Sequence, residues 1–275
     1  MRIRVSHMTR YDYERPAKSV IQLLRLTPRG HEGQQVLRWR VDIDADADVR
    51  KGEDALGNIT HTAFIAGPIS RLTVTVEGEV ETWEAHGMVR GSLERFAPEV
   101  FLGETALTAP NRALKAFASG IAERAGEDAL TRLHALNVAV YEEFAFDTAP
   151  TESTTTAAEA FDLKRGVCQD LTHVFITAAR EMGLPARYIS GHLAPPDGAV
   201  DQEAAHAWAE AYAPDLGWIG FDPTNGISPT PAYIRVAAGR DYLGAAPVRG
   251  SRQGGGRENM DVRLNVSHAA HQTQS

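Results

Sequence analysis

Cys168 is the one cysteine of the chain and sits in the run Arg165-Gly166-Val167-Cys168-Gln169-Asp170-Leu171. Apolar residues follow at Leu171, Val174, Phe175, Ala178, Ala179 and Met182. Steps of three and four are the spacing of a buried helical face. Gly183 and Pro185 end the pattern. The spacing predicts a helix that begins at or just after Cys168, with Gly166 supplying freedom for an unusual turn before it. A helix N-terminus carries free N–H groups and partial positive charge. These stabilise a thiolate and can receive an oxyanion. On this segment alone the cysteine reads equally as a nucleophile or as a buried structural residue.

A second segment changes that balance. Ala205-His206-Ala207-Trp208-Ala209-Glu210-Ala211-Tyr212 alternates strictly, with the alanines on one face. This is strand spacing. Pro214 to Gly217 reads as a turn, and Trp218 to Asp222 as a second strand ended by Pro223. Direct opposition of His206 and Asp222 needs a hairpin centred on Pro214. That requires a bulge or an odd-numbered connection, of roughly three or five residues. A regular even loop would send the two side chains to opposite faces. If the three residues meet, His206 takes the thiol proton and Asp222 fixes the ring's tautomer and supports its charge. The thiolate then attacks an amide carbonyl and a thioester results. Metal chemistry is less well supported. His173, His192 and His206 lack tight ligand spacing. Asp42, Asp44, Asp46 and Asp48 lack the Gly and terminal Glu of a calcium loop and read as a solvated strand end or turn.

These residues need a scaffold. Strands are expected at Arg2 to Val5, Val36 to Ile43 and Leu72 to Val80, separated by Gly- and Pro-bearing turns. They suggest a small antiparallel sandwich or barrel. Trp39 and Trp83 read as core or interface residues. Helical faces are expected over Asn111 to Ala125 and Thr131 to Phe144. Thr151 to Thr156 reads as a polar linker. Beyond residue 225 the chain reads as loop-rich, with a flexible stretch at Gly250 to Gly256. A last strand is expected over Met260 to Val266. The division drawn is 1–95 and 96–275. The 275 residues are 43% hydrophobic and 23% charged with net charge -8, so no basic face invites nucleic acid or an anionic membrane. A lone cysteine allows no internal disulfide, which fits a reducing compartment. The first residues lack an apolar core of signal-peptide length, and no run approaches the ~20 apolar residues of a membrane helix. A cytoplasmic protein is expected.

The same residues resemble the bacterial transglutaminase-like proteins, members of the transglutaminase-core superfamily within the papain-like fold. The matching stretches are GVCQDLTHVFITAAREMGLPARYISGHL (166–193), HAWAEAYAPDLGWIGFDPTNG (206–226) and GRDY (239–242). Toward the N-terminus they are YDYERPA, LLRLTPRG and DALGN. The resemblance implies an α+β fold: a nucleophile helix packed on an antiparallel sheet, preceded by a small β-rich domain. It implies Cys168 as nucleophile, His206 as base and Asp222 as third member. Tyr188 is expected near the site, and Trp208 either lines the groove or packs in the core. Gln169 and Asp170 flank the nucleophile and either polarise substrate or cap the helix; capping is favoured for Asp170. Arg240 and Asp241 are expected as a buried pair. No cofactor and no metal are expected. The implied activity is thiol-dependent acyl transfer on peptide-like amides, with hydrolysis (a cysteine peptidase or amidase) favoured. The alternatives are transamidation or deamidation of protein glutamine, and a non-catalytic interaction module. The partner expected is a peptide or protein substrate, with no nucleic acid and no membrane; a homo-oligomer is left open.

Overall fold

The computed structural model describes residues 1–149, 151–194, 201–202 and 205–268. Strands β1 (Arg2–Thr27), β2 (Gln34–Ile43), β3 (Ala47–Glu53) and β4 (Ile59–Thr82) come first, followed by the short β5 (Met88–Val89). β1 is far longer than the expected Arg2 to Val5. Its burial alternates from Arg2 through Tyr13, but the inward positions after Val5 are His7 and Thr9. Polar residues there hide the apolar alternation without breaking the strand. β1 and β4 pair antiparallel along most of their length, with register shifts after Asp12, Ala17 and Leu24. Such bulges bend and twist a long ribbon.

The helical part holds α1 (Arg112–Ala125), α2 (Ala129–Glu143), β6 (Ala145–Phe146), α3 (Ala157–Leu163), β7 (Arg165–Gly166) and α4 (Cys168–Glu181). Asn111 and Asp128 cap α1 and α2 by accepting the N–H groups of Leu114 and Thr131. α3 begins at the end of the expected polar linker. Thr156 and Glu159 form a reciprocal capping box there. Every residue of α4 from Asp170 to Arg180 is buried, so the helix is wrapped on all sides.

The remaining strands are β8 (Ala186–Leu193), β9 (Asp201–Gln202), β10 (His206–Ala213), β11 (Gly217–Phe221) and β12 (Tyr233–Gly239). A short helix α5 (Tyr242–Ala245) precedes β13 (Val248–Gly254) and β14 (Glu258–His268). The core sheet has the order β12-β8-β10-β11-β5, antiparallel throughout. The alanine face of β10 packs against α4, where Ala207, Ala209, Ala211 and Ala213 share a core with Val174, Phe175 and Ala178. Small side chains let the helix lie close to the sheet.

The region beyond residue 225 is more ordered than its sequence suggested. β12 is buried on both faces, which removes the two-residue period. β13 pairs with β1 through backbone bonds despite its glycines. β14 pairs with β1 from Ile3 to Tyr13, so the end of the chain returns to the first sheet. Ile3, Val5, Val80, Leu264 and Val266 of that sheet form one core with Ile234 and Val236 of β12. The two sheets are therefore packed together. Among the described residues no helix is long and apolar enough to cross a membrane.

Candidate active site

α4 starts at Cys168 with Val167 as its N-cap. Asp170 Oδ2 accepts the Val167 N–H at 2.8 Å and the Thr151 hydroxyl at 2.7 Å. Asp170 is thus a capping residue, and it ties Thr151 to the turn that leads into Cys168. Gln169 adds a second tie, donating from Nε2 to the Ser153 carbonyl at 3.2 Å. Gly166 serves a purpose other than an unusual backbone angle. It is not among the positive-φ residues, but a Cβ there would lie 2.6 Å from Asp170 Oδ2. The glycine makes room for the capping carboxylate.

His206 opens β10, and Asp222 follows the last residue of β11. The hairpin joins Ala213 to Gly217 across three residues, an odd connection as the parity argument required. Its centre is Asp215 rather than Pro214, because the closing pair is Ala213 with Gly217. Asp215 and Gly217 both take positive φ, the backbone bend that this loop needs. Asp222 therefore stands diagonal to His206 on the same face rather than directly opposite. The side chains still meet: His206 Nε2 lies 2.6 Å from Asp222 Oδ2.

Asp222 is fully buried. Besides His206, it accepts the Tyr233 hydroxyl at 2.7 Å, the Asn225 side-chain amide at 2.7 Å and the Thr224 N–H at 2.9 Å. Burial pushes its carboxyl up, but the His206 hydrogen bond and charge, with the hydrogen bonds from Tyr233 and Asn225, outweigh it and hold the carboxyl below its ordinary range. Burial would pull the His206 ring down. Hydrogen bonding to Asp222 and to Cys168, and the charges of both, raise it instead to about 10. Rings of Trp208 and Tyr233 flank His206, with centroids at 6.2 and 5.8 Å.

A cleft of about 860 Å³ opens on Cys168 and His206, and Gln169, Tyr188 and Asn225 also line it. Asp170 and Trp208 are not part of that lining. Trp208 is buried with Ile189, Tyr233 and Ala238. Gly191 makes space for it, since a Cβ there would sit 2.5 Å from the indole.

Tyr233, Thr224 and Asn225 were not read from the sequence as part of the site. Asn225 had a signal, since a Pro-Thr-Asn-Gly turn directly after Asp222 folds back on the carboxylate. Tyr233 had none, because β12 reaches the site through the sheet. Of Arg240 and Asp241, expected to be buried against the core, Asp241 is buried and Arg240 half-buried, and no bond joins them to each other among the described residues. Asp241 instead caps α5 through the Gly244 N–H, and Arg240 donates to the Glu104 carbonyl. Both are held by the backbone turn that docks on α4. There the buried His173 accepts the Tyr242 N–H at 3.0 Å, and Arg180 donates to the Arg240 carbonyl. His173 therefore anchors the turn that brings Tyr242 to the cleft. His192 lies apart from it, beside His7 and Trp39.

Residues 3–81 match the bacterial transglutaminase-like N-terminal region. Residues 115–223, which contain Cys168, His206 and Asp222, match the transglutaminase-like superfamily. An uncharacterized protein of Mycobacterium leprae is 32% identical over 285 residues, covering 98% of this chain and 99% of its own. The fold is similar to the crystal structure of a Cytophaga hutchinsonii chain put forward as a cysteine protease. That likeness has a TM-score of 0.76 at 20% identity and covers 100% of this chain and 92% of the other. The periplasmic domain of TgpA from Pseudomonas aeruginosa also matches, with a TM-score of 0.43 at 18% identity, over 79% of this chain and 87% of that one. That domain is periplasmic in the Pseudomonas protein, and the expectation of a cytoplasmic location is not kept. One thiol forms no internal disulfide in either compartment, so the cysteine count never separated them. The chain belongs to the transglutaminase-like superfamily and carries the bacterial transglutaminase-like N-terminal region ahead of the transglutaminase core.

Proposed function

We propose that this protein is a thiol-dependent hydrolase that cleaves peptide-like amides by acyl transfer through Cys168. His206 acts as base, and Asp222 orients it. The observation that carries this reading is the buried Asp222 carboxylate bonded to His206 Nε2 at 2.6 Å, with Cys168 as the ring's other polar neighbour at the mouth of a large cleft.

With Nε2 committed to Asp222, Nδ1 receives the thiol proton. The thiolate attacks the amide carbonyl. Backbone N–H groups of Cys168 and Gln169, at the first two helical positions, meet the developing oxyanion. The tetrahedral adduct collapses, the C–N bond breaks, and the amine leaves with the proton from His206. Water, deprotonated by His206, attacks the thioester and releases the acid and the thiol. In this scheme Tyr188 and the Gln169 side chain contact substrate from the cleft walls. Asp170 acts through the Val167 turn, and Trp208 acts by packing beside the His206 ring. Tyr233 and Asn225 hold the carboxylate that holds the base.

A library of peptide and isopeptide amides, assayed with wild type and Cys168→Ala, tests the reading. Cleavage, ammonia release and amine incorporation are read separately. Cleavage by wild type alone is expected. Amine incorporation in place of cleavage would replace hydrolysis with transamidation. Equal turnover by Cys168→Ala would overturn the proposal.

A further inference from the structure

The cleft is built from both sheets. On one side stand Cys168, His206, Tyr188 and Tyr242 of the core; on the other stand residues of β1 and β14. Their pairing explains how. Along the shared face of β1 and β14, Ile3, Val5, Leu264 and Val266 are buried against β12. Farther along the same face, Thr9 lies opposite Val262, and Tyr11 opposite Met260. These pairs line the cleft, with Tyr11 largely buried and backed by Tyr13, Ala17 and Leu72 of the first sheet.

The chemistry of the lining is one-sided. In a chain that is 23% charged, no Lys, Arg, Asp or Glu lines the cleft among the described residues. His7, also in the lining, is held neutral because burial lowers it to about 4. Apolar and aromatic side chains (Tyr11, Tyr188, Tyr242, Val248, Met260 and Val262) supply most of the surface around a few hydroxyls and amides. Away from the His206–Asp222 pair, whose charges are already matched to each other, a charged substrate side chain would lose its hydration there and find no counter-charge, whereas an apolar one gains by burial.

We propose that the cleft takes a peptide whose side chains next to the reacting amide are uncharged and apolar or aromatic, and that the β1–β14 face, through Met260, Val262 and Tyr11, selects it. The proposal rests on the cleft being the substrate site of the acyl-transfer reading. It makes the N-terminal sheet a specificity wall.

The test measures binding without turnover. Cys168→Ala protein is titrated with fluorophore-labelled, end-blocked peptide amides that differ at one position: Phe, Leu, Lys or Glu. Phe and Leu peptides are expected to bind about ten- to a hundredfold more tightly than Lys and Glu peptides. Met260 is 62% exposed, so a charge there leaves the sheet folded, and an unchanged melting curve verifies it. Met260→Glu should weaken the Phe peptide and favour Lys over Glu; Met260→Lys should reverse the sign. A structural disturbance alone would not reverse it. Equal or tighter binding of the charged peptides overturns the proposal, as does a preference untouched by either Met260 variant. Iodoacetamide labelling of wild-type Cys168 is run in parallel. Its failure would remove the catalytic reading while leaving the peptide preference, read without the thiol, intact.

Discussion

Replacing Asp222 with Asn tests the electrostatic centre of the site, since the amide keeps the size of the side chain and removes its charge. In the wild type the carboxylate is fully buried and binds His206 at 2.6 Å. Losing that charge-assisted bond costs roughly 1.5–3 kcal/mol. The new N–H₂ also faces donors, because the Tyr233 hydroxyl and Asn225 amide both point at Oδ2. With the N–H₂ at that place both lose their acceptor, and with the amide turned the Thr224 N–H does; the cheaper arrangement costs roughly another 1–3 kcal/mol. At roughly 2 °C per kcal/mol for a chain of this length, the melting temperature should fall by about 5–12 °C near neutral pH. The pH dependence gives a sharper signature. His206 is raised from 6.5 to about 10, so its stabilising share is full below pH 6.5 and is lost as pH rises through about 10. Asp222 is lowered from 3.8, so its share is full above pH 3.8 and is lost as pH falls through its folded value. The gap between wild type and Asp222→Asn should therefore be widest between pH 3.8 and 6.5 and should narrow toward pH 10. Circular-dichroism melts across that range read it. A gap below about 1 °C, or one that widens with alkali, would refute the charged His206–Asp222 pair.

Two further substitutions probe the support around the site. Gly166→Ala places a Cβ where the Asp170 carboxylate sits. It should release the Val167 cap at a cost of about 1 kcal/mol and slow alkylation of Cys168, read by mass spectrometry. Glu210 is fully buried between Arg187 at 2.7 Å and Arg235 at 2.6 Å. Glu210→Ala leaves those guanidinium groups short of a counter-charge and should cost roughly 3–5 kcal/mol, cushioned at Arg187 by its bonds to Glu94. Burial raises the Glu210 carboxyl, but the two arginines hold it down at about 2, against an ordinary 4.5. Its stabilising share should therefore disappear as acid is added from pH 4.5 to about 2, a loss that Glu210→Gln should not show.

The parts of the site that follow local periodicity were legible in the chain. The apolar steps after Cys168 located the buried helix. The alternation around His206 located a strand, and parity alone required an odd loop to bring Asp222 to the same face. Long-range support was less legible. Tyr233 reaches Asp222 from β12, whose two buried faces erase the strand period. Only the start of β1 shows an apolar alternation, because His7 and Thr9 occupy inward positions as polar residues. The far wall of the cleft depends on β14 pairing with β1, a contact between the two ends of the chain that no local pattern encodes. α3 did have a signal, the Thr156/Glu159 capping box, but the threonine-rich run before it reads as linker. Gly166 reads in the sequence as freedom for an unusual turn, whereas its importance lies in the space it leaves for Asp170.

The central claim is that Cys168 is a nucleophile activated by His206, and the rate of iodoacetamide labelling against pH measures it most directly. The account predicts rapid labelling of wild type at pH 6–7, far below the ~8.5 at which an ordinary thiol ionises, and its loss in His206→Ala. Slow labelling that rises only near the ordinary thiol pKa, or a rate that is the same in His206→Ala, would contradict it.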